Sequence, residues 1–146
     1  MSWTLNRYGG RHAIADTAVV QGYSFTGAYG QRYIYTSQAL CTYLAARYGD
    51  PVVIRLTQIL TDTDRSWSPR RRRGWWRAAL RGRQGIVRVV VYVAGRPDSH
   101  VALWDCDRFY QSRDWLRDAA HLVTVEFWEA AGSLASCSIS VCILTE

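Results

Sequence analysis

Gly85-Ile86-Val87-Arg88-Val89-Val90-Val91-Tyr92-Val93-Ala94, followed by Ser99-His100-Val101-Ala102-Leu103-Trp104, is the stretch that decides the fold. The first segment is β-branched almost throughout and reads as a strand buried on both faces over most of its length. Gly95 to Asp98 carries turn residues, so the second segment returns as an antiparallel partner. The run Val89 to Ala94 is the longest uninterrupted apolar one, at six residues. A membrane-spanning helix needs about 20.

Reading outward towards the C-terminus, Asp105-Cys106-Asp107 is a second turn, and His121 to Trp128 and Ser136 to Leu144 complete an antiparallel sheet of about five strands. In the last of these Cys137, Ile139, Val141 and Ile143 alternate with small polar residues, the pattern of a half-buried strand. Reading outward towards the N-terminus, Gly82 ends a short amphipathic helix from Trp75 to Arg81, and Val52 to Leu60 is ambiguous between strand and helix. Ser37 looks like a helix start. Leu40, Tyr43, Leu44 and Tyr48 follow at helical spacing, and Gly49 with Pro51 stops the run. The first 36 residues are rich in Gly and Tyr and read as turns with short extended pieces at Thr17 to Val20 and Arg32 to Tyr35. No repeat or long linker divides the chain, so residues 1–146 are expected to form one α+β domain.

Composition agrees with that size. The chain has 146 residues, 49% of them apolar and 13% aromatic, which is enough for a real core. All 18 basic residues are arginine, and ten of them fall between Arg65 and Arg96, a window without Asp or Glu. The remainder holds eight arginines against twelve acids, so the net +6 is one cationic patch on a mildly acidic domain. Arg70-Arg71-Arg72-Arg73, after Ser66-Trp67-Ser68-Pro69, reads as a solvated loop. Beside Trp75-Trp76 it could also contact phosphates and stack on bases, or dock an acidic partner.

The cysteines at 41, 106, 137 and 142 have no C-x-x-C spacing, which argues against a zinc site. Cys41 and Cys137 fall on apolar positions. Cys106 and Cys142 are left exposed, and a disulfide between them requires an oxidising compartment.

The chemistry centres on His100, which shares a strand face with Ala102 and Trp104. A lone strand histidine is usually structural. Its pairing with a helix that opens at Ser37 changes that. A nucleophile in the first turn of a buried helix, facing a histidine on an antiparallel strand, is the layout of papain-like hydrolases. The helix N-terminus lowers a thiol pKa and the histidine completes the ion pair.

On these residues the chain resembles the type VI secretion amidase effectors of family 4, small bacterial toxins that cut peptidoglycan stem peptides. Gly85-Ile86-Val87 with Ser99-His100-Val101-Ala102-Leu103-Trp104-Asp105 is similar to the G-I-I…G-H-V-T-L-W-N/D stretch of that family. In the family a catalytic cysteine opens a helix that ends at a glycine twelve residues later. Counting back from Gly49 reaches Ser37, and Thr42-Tyr43-Leu44 then falls on the family's Ser-Tyr-aliphatic step. Val123 to Glu129 is similar to its aromatic closing strand. The resemblance covers about two thirds of the chain and implies a papain-like cell-wall amidase fold, with the nucleophile helix packed on the sheet.

Two positions depart from the family. Ser37 stands where the cysteine is, and the nearest thiol, Cys41, lies one turn further along the same face without the helix-terminus environment. Ser37, as a helix start, also reads simply as an N-cap. The family's third residue, an Asp about eleven residues after the histidine, corresponds to Gln111; Asp114, three further on, is the carboxylate better suited to hold an imidazolium.

The resemblance implies acyl transfer without metal or cofactor. Residue 37 attacks a stem-peptide amide, helix N–H groups hold the oxyanion, and His100 takes and returns the proton. A hydroxyl is far harder to deprotonate than a thiol, so the chain is expected to be inactive or nearly so as it stands. It also implies a cognate immunity protein as partner, and delivery to a target-cell periplasm or secretion. Met1-Ser2-Trp3-Thr4-Leu5-Asn6-Arg7 lacks a signal-peptide core, so synthesis in the cytoplasm is expected, with no membrane partner. A non-catalytic binding module on the same fold, and a nucleic-acid binder acting through Arg70 to Arg73, are the competing readings.

Overall fold

A long hairpin organises the sheet in the computed structural model, which describes residues 5–7, 12–14, 21–55, 68–110, 112–118 and 122–130. Strand β4, Arg83–Val93, pairs with β5, Arg96–Cys106, in unbroken antiparallel register from Arg83↔Cys106 to Val93↔Arg96. Ala94 (φ 49°) and Gly95 (φ 77°) form the connection, both left-handed as a two-residue hairpin turn demands. The turn is therefore tighter than the four residues expected from Gly95 to Asp98, and Arg96 to Asp98 join the strand.

The chain order before the hairpin is β1 (Ser24–Thr26), a short 3-10 turn (Ala28–Gly30), β2 (Arg32–Ile34), α1 (Ser37–Tyr48), β3 (Val52–Arg55) and α2 (Pro69–Leu80). After it come β6 (Arg108–Phe109), a 3-10 turn (Trp115–Asp118) and β7 (Leu122–Glu129). β1 and β2 make a separate antiparallel pair. Among the described residues the main sheet has five strands in the order β3-β7-β4-β5-β6, and each neighbouring pair is antiparallel. The expected α+β class and five-stranded antiparallel sheet are both present. β3 and β6 are members of it, while the expected strands at Ser136 to Leu144 and Thr17 to Val20 lie outside the described residues.

Gly85 shows why β4 and β7 lie so close: a Cβ there would come within 2.1 Å of the Trp128 carbonyl oxygen. Each face of the sheet carries a helix. On one side Trp76 and Leu80 of α2 pack on Val87, Val89, Ala102, Trp104, Val125 and Phe127. On the other, Leu40, Cys41 and Leu44 of α1 pack with Val101 and Trp128. Indole N–H groups pin both helix ends, Trp104 Nε1 to the Leu80 carbonyl (2.9 Å) and Trp128 Nε1 to that of Gly49 (3.0 Å).

The arginine run differs from its reading as a loop. Ser68 caps α2, its hydroxyl accepting from Arg71 N (3.3 Å), and Pro69 occupies the first turn, so Arg70 to Arg73 are helical. Ser followed by Pro is a helix-start signal as well as loop punctuation. Trp76 and Leu80, at i,i+4 spacing, supply the buried stripe that decides between the two. Arg83 also joins Arg88 within β4, and it pairs with Glu129 at 2.9 Å.

Among the described residues no helix is long and apolar enough to cross a membrane.

Candidate active site

Thr36, in extended conformation, caps α1: its Oγ1 accepts from Ala39 N (3.2 Å) and its carbonyl from Leu40 N (3.1 Å). Capping is thus carried out one residue before Ser37, which becomes the first helical residue. That leaves the Ser37 hydroxyl to meet β5, where its Oγ lies 2.6 Å from Ser99 Oγ.

Strand alternation determines which β5 side chain meets α1. Val101 packs in the α1 layer and Ala102 and Trp104 in the α2 layer. Ser99 accordingly points to α1. His100 points the other way and stacks on Trp115, with ring centroids 3.7 Å apart. The Arg113 guanidinium lies 3.7 Å from the same indole. Burial, and then the Arg113 charge, hold the His100 pKa below the ordinary histidine value. Ser37 and His100 nonetheless border one cavity of about 350 Å³, lined by Tyr35, Thr36, Ser37, Leu40, Ser99 and His100.

Asp114 and Cys41 have partners or surroundings of their own. Asp114 Oδ2 pairs with Arg77 (2.9 Å), and Oδ1 accepts from Leu116 N (3.1 Å), which starts the turn that carries Trp115. No hydrogen bond joins Asp114 or Ser37 to His100 among the described residues. Gln111 lies outside them. Cys41 is a buried free thiol in the α1 layer, and burial pushes its pKa up to about 11. A thiol that is protonated at neutral pH and packed among apolar side chains is a poor nucleophile. Cys106 is disulfide-bonded, and Cys137 and Cys142 lie outside the described residues. Among the described residues no three His, Cys, Asp or Glu side chains are grouped to hold a metal.

Sequence reasoning missed the polar cluster beneath Ser37. Arg88 donates through Nη1 to both Glu126 oxygens (3.1 and 3.2 Å) and through Nη2 to Gln38 Oε1 (2.9 Å) and Ser99 Oγ (3.4 Å). Glu126 is its register partner on β7. The signal was a single charge midway along the apolar run from Ile86 to Val93.

With the fold and cavity in view, solved structures provide a comparison. The type VI effector Tae4 from Enterobacter cloacae is similar at a TM-score of 0.61 and 20% identity, over 88% of this chain and 68% of that one. The chain has the Tae4 fold. The effector–immunity system Tae4/Tai4 from Salmonella typhimurium contains a similar chain at a TM-score of 0.57 and 19% identity, over 88% of this chain and 69% of that one. The Tae4–Tai4 complex from Enterobacter cloacae gives 0.59 and 18%, over 88% and 70%. No protein-family model and no curated protein matches the sequence. The fold agrees with the resemblance carried by Ser37 to Gly49 and Gly85 to Asp105.

Proposed function

We propose that the chain is a peptidoglycan stem-peptide amidase of the type VI effector kind, in which residue 37 occupies the nucleophile position and His100 is the base. The observation that carries this reading is the shared cavity, with the first helical residue of α1 on one wall and His100 on another. The depressed His100 pKa keeps the ring neutral at pH 7, the form that accepts a proton. N–H groups at the start of α1 would stabilise the oxyanion that forms on the substrate carbonyl when residue 37 attacks it. With serine there the step lacks a nucleophile of suitable pKa, and the chain is inactive as it stands. By analogy with the Tae4–Tai4 complexes, an immunity protein is the expected partner and delivery into target cells the expected route. In that setting Asp114 would act through Trp115, by ordering the turn against which His100 stacks.

The test is direct. Ser37→Cys should release new amines from purified peptidoglycan, and adding His100→Ala should abolish the release. Silence from Ser37→Cys, with the fold intact, removes the enzymatic reading.

A second reading draws on one specific contact. Ser37 bonds to Ser99 and not to His100, an arrangement that suits a cleft which binds a peptide without cutting it. Titration of the unaltered chain with soluble stem peptides separates the two, because binding without turnover by Ser37→Cys supports the second alone.

A further inference from the structure

A guanidinium placed beneath a nucleophile position alters what that position can do. Arg88 sits in the middle strand, its side chain only 14% exposed, and is held from three sides. Glu126 fixes Nη1 from β7, while Gln38 in the first turn of α1 and Ser99 on β5 share Nη2. Ser99 Oγ is in turn 2.6 Å from Ser37 Oγ. A guanidinium has donors only, so Ser99 accepts from Arg88. If residue 37 loses its proton, Ser99 has to be the donor to it, because an anion there has none to give. Each bond then polarises the next in the same direction, towards residue 37.

We infer that Arg88, acting through Ser99, is the positioning group of the candidate site: the Arg88–Ser99 relay stabilises the anionic form of residue 37 and turns its proton towards the cavity. The inference deepens the amidase reading and rests on its assignment of residue 37. The relay is additional to the helix terminus and to His100, and neither resemblance nor fold requires it. Glu126 has the opposite effect. It locks Arg88 in place, yet its negative charge offsets the charge that the relay transmits. One turn along α1 the same pair acts with the same signs on the Cys41 thiol, Arg88 lowering its pKa and Glu126 raising it.

Opposite signs make the inference separable from a structural role. In the Ser37→Cys chain, the pH dependence of iodoacetamide alkylation reports the residue 37 thiol, with the matching variant that keeps Ser37 as the blank for other thiols. Adding Ser99→Ala or Arg88→Gln should raise the midpoint by about one pH unit. Adding Glu126→Gln should lower it, and Arg88→Lys should recover part of the Arg88→Gln loss. Ser99→Ala removes one surface-proximal hydroxyl, so it keeps the test open if Arg88→Gln fails to fold. An unmoved midpoint in Ser99→Ala, or Arg88→Gln and Glu126→Gln moving it in the same direction, overturns the relay. Amine release is read separately. Shifted midpoints without hydrolysis sink the amidase reading and leave the relay standing, while hydrolysis with unmoved midpoints does the reverse.

Discussion

The two layers on either side of the sheet are built to different rules. At α2, Trp76 and Leu80 of the helix meet Trp104, Leu116 and Phe127, all nearly or wholly inaccessible, with Trp104 and Phe109 edge to face at 5.1 Å. At α1, Ser37 and Gln38 of the first turn meet Ser99 and the Arg88–Glu126 pair of the sheet, and only further along does the layer become apolar at Leu40, Cys41 and Leu44. A purely apolar layer would be at least as stable in the α1 position, because desolvating an ion pair costs about what the pair returns. The polar first turn is what the proposed site asks of the α1 layer, while the α2 layer is the apolar foundation beneath β4 and β5.

The largest expected effect tests that foundation. Trp76→Ala should cost about 3–5 kcal/mol, since it empties the centre of the α2 layer. Chemical denaturation measures it, and a loss under about 1 kcal/mol would mean that α2 is dispensable to the sheet. Trp76→Phe should cost much less, because Trp76 Nε1 is buried without a partner among the described residues.

An intermediate effect tests the α1 layer. Arg88→Met alone leaves Glu126 uncompensated and should cost about 2 kcal/mol, between the values for buried and surface pairs, as the side chains are 14% and 21% exposed. The double variant Arg88→Met with Glu126→Leu should recover much of that loss. A double-mutant cycle makes the comparison, and simple additivity would show that the pair contributes no coupling.

Much of this architecture was legible in the sequence because it follows from period and punctuation. The valine run identified β4, the Gly49-Pro51 stop ended α1, and both survive in the structure. The α2 start was misread because Ser68-Pro69 signals a loop and a helix alike, and only the burial of Trp76 and Leu80 separates them. The site was harder to see. Ser37 and His100 do line one cavity, but a one-residue alternation in β5 decides whether Ser99 or His100 faces the helix, and no local pattern encodes that choice. Arg88 and Glu126 are 38 residues apart and meet only through strand register.

The smallest effect concerns the histidine of β5 that points away from α1. His100 has a folded-state pKa below its ordinary value, through burial and the Arg113 charge. A histidine whose pKa is lowered on folding is favoured neutral in the native state, so its contribution is complete above the unfolded pKa of about 6.5. As pH falls through that value the unfolded chain takes up the proton first, and the contribution is lost progressively down to the folded pKa. Urea midpoints at pH 7.5 and pH 5.0 should therefore differ more for the unaltered chain than for His100→Gln, which keeps an uncharged polar side chain at both. If the two chains show the same difference, burial and the Arg113 charge do not hold the imidazole neutral, and His100 is not the poised base that the proposed function requires.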